Sequence, residues 1–578
     1  MRKLLGAGVI VGAIFSGVVS TSSMPAYAGR SHHGQDIDHV LLISVDGMHA
    51  VDFANCASGI SRVNSGKPYC PNLASLGGTG VNYVQASTSK PSDSFPGLMA
   101  LMTGASPRTM GVYYDVAYDR SLNPPAQTSG NGNPGGGCSS GSTPPGTTTE
   151  YDEGIDLNQT VLNGGAPSGD GGVNSINPNF LVRDKNCNPV YPWNFIRTNT
   201  IFGVIHAAGG YTAWSDKHAS YSAVGGPTGT TTDTNVDDYF SPEINSTSVA
   251  MPQNKIMSCN PLPDALAFAA ADDYTGSFQN IQCYDSLKVQ AILNEIDGLN
   301  HDGTGKTKVP NIFGMNFQAV SIGQKLIYQH GAVAAGYSEQ GGYVDSIGTP
   351  SDSLLQEIEF VDNSVGMMVS ELQKEGLSDS TLIIITAKHG QSPIDTSRYN
   401  ADGSPNDPAT ILSSYLAPSE NSAIGPTEDD VALLWLADSA NTAAAVAALE
   451  KASPALPLAD NIAGIGQIYS GPTLSIVYNT PGLPPNGDPR TPDIIVTPNV
   501  GVTYSNSKKK VAEHGGFAHD DTNVIMLVSN PKIHSSTIST PVQTAQVAAT
   551  ILDALGLNPN KLQAVQEEGT PVLPGLNF

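Results

Sequence analysis

Basic residues are scarce in this chain of 578 residues. It has 27 Lys and Arg against 52 Asp and Glu, a formal net charge of −25. An acidic chain repels polyanions, which argues against sequence-independent nucleic-acid binding; a small anion remains a suitable partner where a site supplies its own cations. Cysteines are also few. The six are Cys56, Cys70, Cys138, Cys187, Cys259 and Cys283, and no two form a Cys-x-x-Cys pair, which argues against a zinc cluster. Beyond the N-terminus no stretch approaches the ~20 apolar residues of a membrane span. There is no internal repeat. The stretch Asn300 to Thr307 resembles a phosphate-cradling loop but has Asn300 where that motif needs glycine.

The N-terminus reads as a secretory signal peptide over residues 1–28. Arg2 and Lys3 precede an apolar run from Leu4 to Val19, and Ala26-Tyr27-Ala28 is a small-x-small cleavage pattern. The mature chain, 29–578, is expected to be secreted or periplasmic. An even number of cysteines in an exported chain suggests disulfides. Of the possible pairings the sequential one is expected: 56–70, 138–187 and 259–283. All six lie in the first half of the chain, which should therefore hold the stapled loops.

Along the chain, strand-like and helix-like stretches alternate. His39 to Val45 is a nearly unbroken apolar run that stops at Asp46-Gly47, the pattern of a strand buried on both faces. Similar strands are expected over Tyr211–Trp214, Ile312–Val320, Thr381–Thr386, Asp493–Pro498 and Asn523–Val528. Helices are expected over Ser353–Gly376 and Thr544–Leu555, and from Ser94 into the apolar run Leu98–Met102. This rhythm predicts an α/β fold, a mostly parallel sheet with helices on both faces. Residues 119–300 are rich in Gly, Pro, Ser, Thr and Asn and are expected to form a large, loop-rich, cap-like insertion. That stretch includes a polar excursion from about residue 220 to 285.

Polar clusters fall at the expected strand ends: Asp46, Lys388-His389 and His514. A further one, Ser92 to Gly97, precedes a helical run. Pro96 suits a first helical turn, which makes Ser94 the expected N-cap. An oxygen there feels the positive end of the helix dipole and nearby N–H groups, which favour an anion. A serine nucleophile also needs a base or a metal, and no histidine is near Ser94 in sequence. His49 reads as a surface residue and His218 as a candidate to face the site. His519, Asp520 and Asp521 read as loop residues, and His330 stays unplaced.

Together these residues resemble the alkaline phosphatase superfamily, in particular its nucleotide pyrophosphatase/phosphodiesterase branch. The likeness rests on five segments in order. They are Leu42-Ile-Ser-Val-Asp-Gly-Met48, Ser94-Phe-Pro-Gly97, Leu101 to Val112, Lys388-His-Gly390 and Glu513-His-Gly-Gly516. The resemblance implies an exported hydrolase of small phosphate esters, a phosphodiesterase or phosphomonoesterase, with Ser94 as nucleophile. It also implies one or two divalent ions, usually zinc. Carried over, Asp46, Ser94 and His389 match the ligands of one ion and His514 a ligand of the other.

Three positions depart from that pattern. Lys388 stands where the family has Asp, and a charged lysine cannot ligate a metal. The Asp-x-x-Gly-His segment has no counterpart after the strand from Ile312, where Gln318, Ser321, Gln324, Glu339 and Asp345 are the possible oxygen donors. Gly97 replaces an Asn. Lys388 is accordingly expected to supply charge that a metal otherwise brings, as a catalytic residue beside Ser94. The alternative reading is a degenerate member that binds without turnover.

Overall fold

The computed structural model describes residues 37–162, 172–228, 235–270, 273–418, 427–452 and 463–578, so the expected signal peptide lies outside the described residues. From Asp36 to Phe578 the chain forms one unit. Its centre is an eight-stranded sheet of β1 (His39–Val45), β2 (Gly80–Tyr83), β3 (Ala213–Ser215), β4 (Asp238–Phe240), β5 (Ile312–Phe317), β6 (Thr381–Thr386), β7 (Leu527–Ser529) and β8 (Ser536–Ile538). The spatial order is β8-β2-β7-β6-β1-β5-β3-β4. All neighbouring pairs are parallel except those of β7, which runs antiparallel to β2 and β6.

Strand β1 lies in the middle because both its faces are apolar. Val40 and Leu42 point into one core, and Leu41, Ile43 and Val45 into the other. The first core is completed by α1 (Ser94–Thr103), α2 (Ile201–Ala207) and α6 (Gln546–Ala554). The second is completed by α3 (Phe278–Ile296), α4 (Ala319–Lys325) and α5 (Asp352–Lys374). Helix α5 begins where the Ser351 hydroxyl accepts from Leu354 N and ends before Gly376, whose φ of +73° reverses the chain.

Several expectations shift here. The stretch Ile312–Val320 is a strand only to Phe317. The Asp285 carboxylate then accepts the N–H groups of Gln318 and Ala319, both at 2.8 Å, and starts α4. The expected strand at 493–498 forms over Ile494–Pro498. It lies, however, in a separate four-stranded antiparallel sheet with Thr427–Glu428, Ala432–Leu434 and Ile465–Ser470. A short apolar run has the same pattern in either sheet.

The stretch 119–300 is not all cap. Strands β3 and β4 join the main sheet, and α3 covers one of its faces. Its two disulfides, Cys138–Cys187 and Cys259–Cys283, and the earlier Cys56–Cys70 pair as expected.

Candidate active site

The carboxyl ends of β1, β3, β5 and β6 meet the N-terminus of α1 and the loop carrying His514. Open α/β sheets place their ligand sites at such strand ends. Asp46 follows β1 and is fully buried. Ser94 is the first helical residue of α1, and the N-cap is its neighbour Asp93, whose side chain accepts from Phe95 N. Position 94 thus differs by one step from the expected cap, and its hydroxyl is free of capping duty.

The Lys388-His389 pair follows β6. The Lys388 carbonyl lies so close to α1 that a Cβ on Gly97 would sit 2.1 Å from it. Glycine at 97 is therefore a packing requirement. Gly97→Asn is expected to cost about 3 kcal/mol through overpacking, read as a lower midpoint in urea unfolding with an unchanged slope.

His514 is brought in by the pairing of Gly515 with Ser92, whose N–H and C=O groups bond in both directions at 2.9 and 3.4 Å. Its ring lies 4.0 Å from that of His389, centroid to centroid. Its Nδ1 is 3.6 Å from Asp93 Oδ1. All four residues expected around the metals and the nucleophile thus sit in one place.

A residue that sequence reasoning passed over lies within hydrogen-bond range of Ser94. Lys217 follows β3, and its Nζ donates to Ser94 Oγ at 3.0 Å. The same ammonium lies 3.5 Å from Gln318 Oε1 and 3.8 Å from Asp46 Oδ2. Lys388 lies behind it, fully buried, with Nζ 3.1 Å from Asp216 Oδ1 and 3.6 Å from Asp46 Oδ2. Asp216 is fixed by the Trp214 indole at 2.9 Å, and Lys388 also stands 4.8 Å over the Tyr221 ring.

Among the oxygen donors considered for the missing ligands, only Gln318 reaches this group, donating from Nε2 to Asp46 Oδ2 at 2.6 Å. Ser321 bonds Gln391, and Asp345 pairs with Arg62 near the surface. Gln324 bonds Gly47 O and Tyr343 OH. It belongs with His49, which is not a surface residue: it is buried beneath the Asp46 turn against Asp52, Tyr343 and two carbonyls. His218 is buried next to Lys217 but bonds Glu243. Asp520 receives Ile394 N, and Asp521 receives Gly516 N.

The electrostatics follow from this packing. Burial raises the Asp46 carboxyl, but Lys388, His389 and Lys217 outweigh it and hold the group well below its usual range. Burial lowers both His389 and His514, so two neutral imidazoles face each other.

In the surrounding wall the balance runs the other way. Burial pushes Asp115 and Glu243 up to about 8, and Glu150 and Asp429 up to about 7. A carboxyl raised in the folded state binds its proton more tightly there than in the unfolded chain. Its contribution is whole below the unfolded value and is lost as pH rises through the folded one. The melting temperature is therefore expected to be highest near about pH 5 and to fall through about pH 7–8. Thermal melts across that range check this.

The donor set does not fit a two-ion centre. Asp46 Oδ2 is already surrounded by an amide, an imidazole and two ammonium groups. A divalent ion ~4 Å from an ammonium is repelled by about 8 kcal/mol at an effective dielectric near 20. Asp46 Oδ1, Asp93 Oδ1 and His514 Nδ1 are buried without hydrogen-bond partners, yet they form no group of three His, Cys, Asp or Glu ligand atoms within 4.8 Å of one another. Among the described residues, three His, Cys, Asp or Glu ligand atoms come within 4.8 Å of one another only at Asp297, Glu371 and Glu375. Lys374 already pairs with all three of those.

The sequence model of the type I phosphodiesterase / nucleotide pyrophosphatase family matches residues 40–167 and 173–520. No curated protein matches the chain. Among solved structures, the alkaline phosphatase PafA is similar at 12% identity and a TM-score of 0.51, over 91% of this chain and 97% of that one. Murine ectonucleotide pyrophosphatase / phosphodiesterase 5 matches at 12% identity and a TM-score of 0.48, over 90% and 96% of the two chains. Its human counterpart matches at 13% and 0.46, over 93% and 97%. At such identities the PafA likeness shows the alkaline phosphatase-like fold alone.

Proposed function

The chain belongs to the type I phosphodiesterase / nucleotide pyrophosphatase family and is a phosphoric ester hydrolase, and we propose that it is exported and cleaves small phosphate esters through Ser94. The observation that supports this reading is the 3.0 Å contact from Lys217 Nζ to Ser94 Oγ at the start of α1. A cation beside a serine oxygen at a helix N-terminus favours the anionic oxygen an attack requires.

In the first step Ser94 Oγ bonds to phosphorus. The bond from phosphorus to the leaving oxygen breaks and its electron pair departs with that oxygen. The proton shed by Oγ passes to the departing oxygen by way of Lys217. Water then attacks the phosphoserine, gives its proton to Oγ, and releases phosphate. The site opens at Lys217 and His514, whose side chains are 12% and 13% exposed, and the substrate enters there.

Acid quenching during turnover of an aryl phosphate ester tests the step, with peptide mass spectrometry as readout. The expected result is a phosphate on Ser94; phosphate on no residue of this site refutes covalent catalysis. A second reading, binding without turnover, draws on the poor fit to metal ions, and complete inertness towards phosphate mono- and diesters favours it. The three disulfides support export, and an N-terminus at Gly29 in the exported protein is the expected result.

A further inference from the structure

We propose that this site binds a phosphate group without a divalent ion, the Lys217 ammonium holding both the seryl oxygen and a phosphoryl oxygen while Lys388 offsets the two buried carboxylates behind it. The inference rests on the hydrolase reading above and names the residues that hold the anion.

The geometry around Lys217 carries it. An ammonium has three protons to give. One goes to Ser94 Oγ at 3.0 Å. The other partners, Gln318 Oε1 at 3.5 Å and Asp46 Oδ2 at 3.8 Å, lie at or beyond the edge of hydrogen-bond range. Two protons therefore remain for a guest oxygen, on a side chain that reaches solvent and touches the nucleophile.

Lys388 does something different. It is fully buried and reaches only carboxylates, Asp216 at 3.1 Å and Asp46 at 3.6 Å, besides the face of Tyr221. Two ammonium groups thus stand against Asp46 and Asp216. Without them an incoming phosphate would face two uncompensated buried charges. Lys217 is assigned as a catalytic residue and Lys388 as a positioning residue.

The arrangement is built rather than incidental. The same Gln318 amide that donates to Asp46 has its backbone N–H held by Asp285, whose other oxygen is 3.0 Å from the fully buried Lys288. Gln318 is thereby fixed between Asp46 and Lys217. It is an uncharged side chain, which an ammonium tolerates as a neighbour and which brings none of the negative charge of the carboxylate a metal site would use there.

The test uses the whole mature protein. Metal content is measured on the purified protein. Orthophosphate binding is then followed by calorimetry after exhaustive chelation, alongside turnover of an aryl phosphate ester. The expected result is no stoichiometric ion, with affinity and turnover unaltered by chelation. Lys217→Met is expected to weaken orthophosphate binding about 10- to 100-fold, with partial recovery in Lys217→Arg. Lys388→Met is expected to weaken it while leaving Lys217 in place, and thermal melts show whether each variant is folded.

A stoichiometric divalent ion whose removal abolishes binding overturns the inference, and needs no variant to show it. Undiminished affinity in folded Lys217→Met overturns it too. Turnover that chelation abolishes sinks this inference and leaves the hydrolase reading intact. Metal-free orthophosphate binding with no turnover of any ester supports the inference and sinks the hydrolase reading.

Discussion

Ser94→Ala is expected to reduce turnover of a phosphate ester to background, a loss on the order of 10⁵-fold or more in kcat, because under the proposed mechanism it removes the attacking oxygen. The effect should fall almost wholly on kcat. The side chain is small, it is not the cap of its helix, and Asp93 still holds the first turn through Phe95 N. A melting temperature within a degree or two of wild type should accompany the loss. Binding of orthophosphate should survive in part, since the Lys217 ammonium remains and gains a free proton. Steady-state kinetics together with calorimetry check this. A variant that retains most of its kcat excludes Ser94 as the nucleophile.

The second large effect is on stability. Lys288→Met is expected to cost about 3–5 kcal/mol, since it leaves the buried Asp285 carboxylate without its cation. Lys288 and Asp285 are both 0% exposed and their charges meet at 3.0 Å. Burial pushes the Asp285 carboxyl up, and Lys288 is the first of the groups that pull it back down. Without the lysine, Asp285 takes a proton and ceases to hold the N–H groups of Gln318 and Ala319 as a carboxylate. The start of α4 then loosens, and with it the Gln318 side chain that touches Asp46. Activity should therefore fall along with stability. Asp285→Asn combined with Lys288→Met removes both charges and should recover a good part of the lost stability. Urea unfolding of the four proteins measures the coupling.

Much of the site was legible because its residues follow apolar runs. Asp46 after β1 and Lys388-His389 after β6 stand at the ends of strands whose composition admits only a buried position. Ser94 was marked by Pro96 and the helical run after it, although the cap is Asp93. His514 was found through the likeness of its segment to a family, not through any local periodicity.

Lys217 was missed for physical reasons. Its strand, Ala213–Ser215, is three residues long and gives way at once to a polar loop. In so acidic a chain a lysine in a loop reads as surface charge. The available signal is its position: Asp216-Lys217-His218 ends a strand just as the other clusters do. The division of 119–300 was misread for a related reason. The strand near Trp214 is legible, but β4, three residues at the sheet edge, carries too few apolar residues to stand out from the loops around it. His49 was placed outside because nothing in the sequence shows that the Gly47 turn, with φ of +83°, directs the next residues underneath the site.

The protonated wall carboxyls make folding a proton-consuming reaction. Asp115, Glu150, Glu243 and Asp429 carry charge in an unfolded chain at mildly acidic pH and lose it when they are enclosed. The surrounding medium then acts as a folding partner. Acid surroundings supply the protons and draw the chain toward its native state. Neutral surroundings withhold them and weaken that pull.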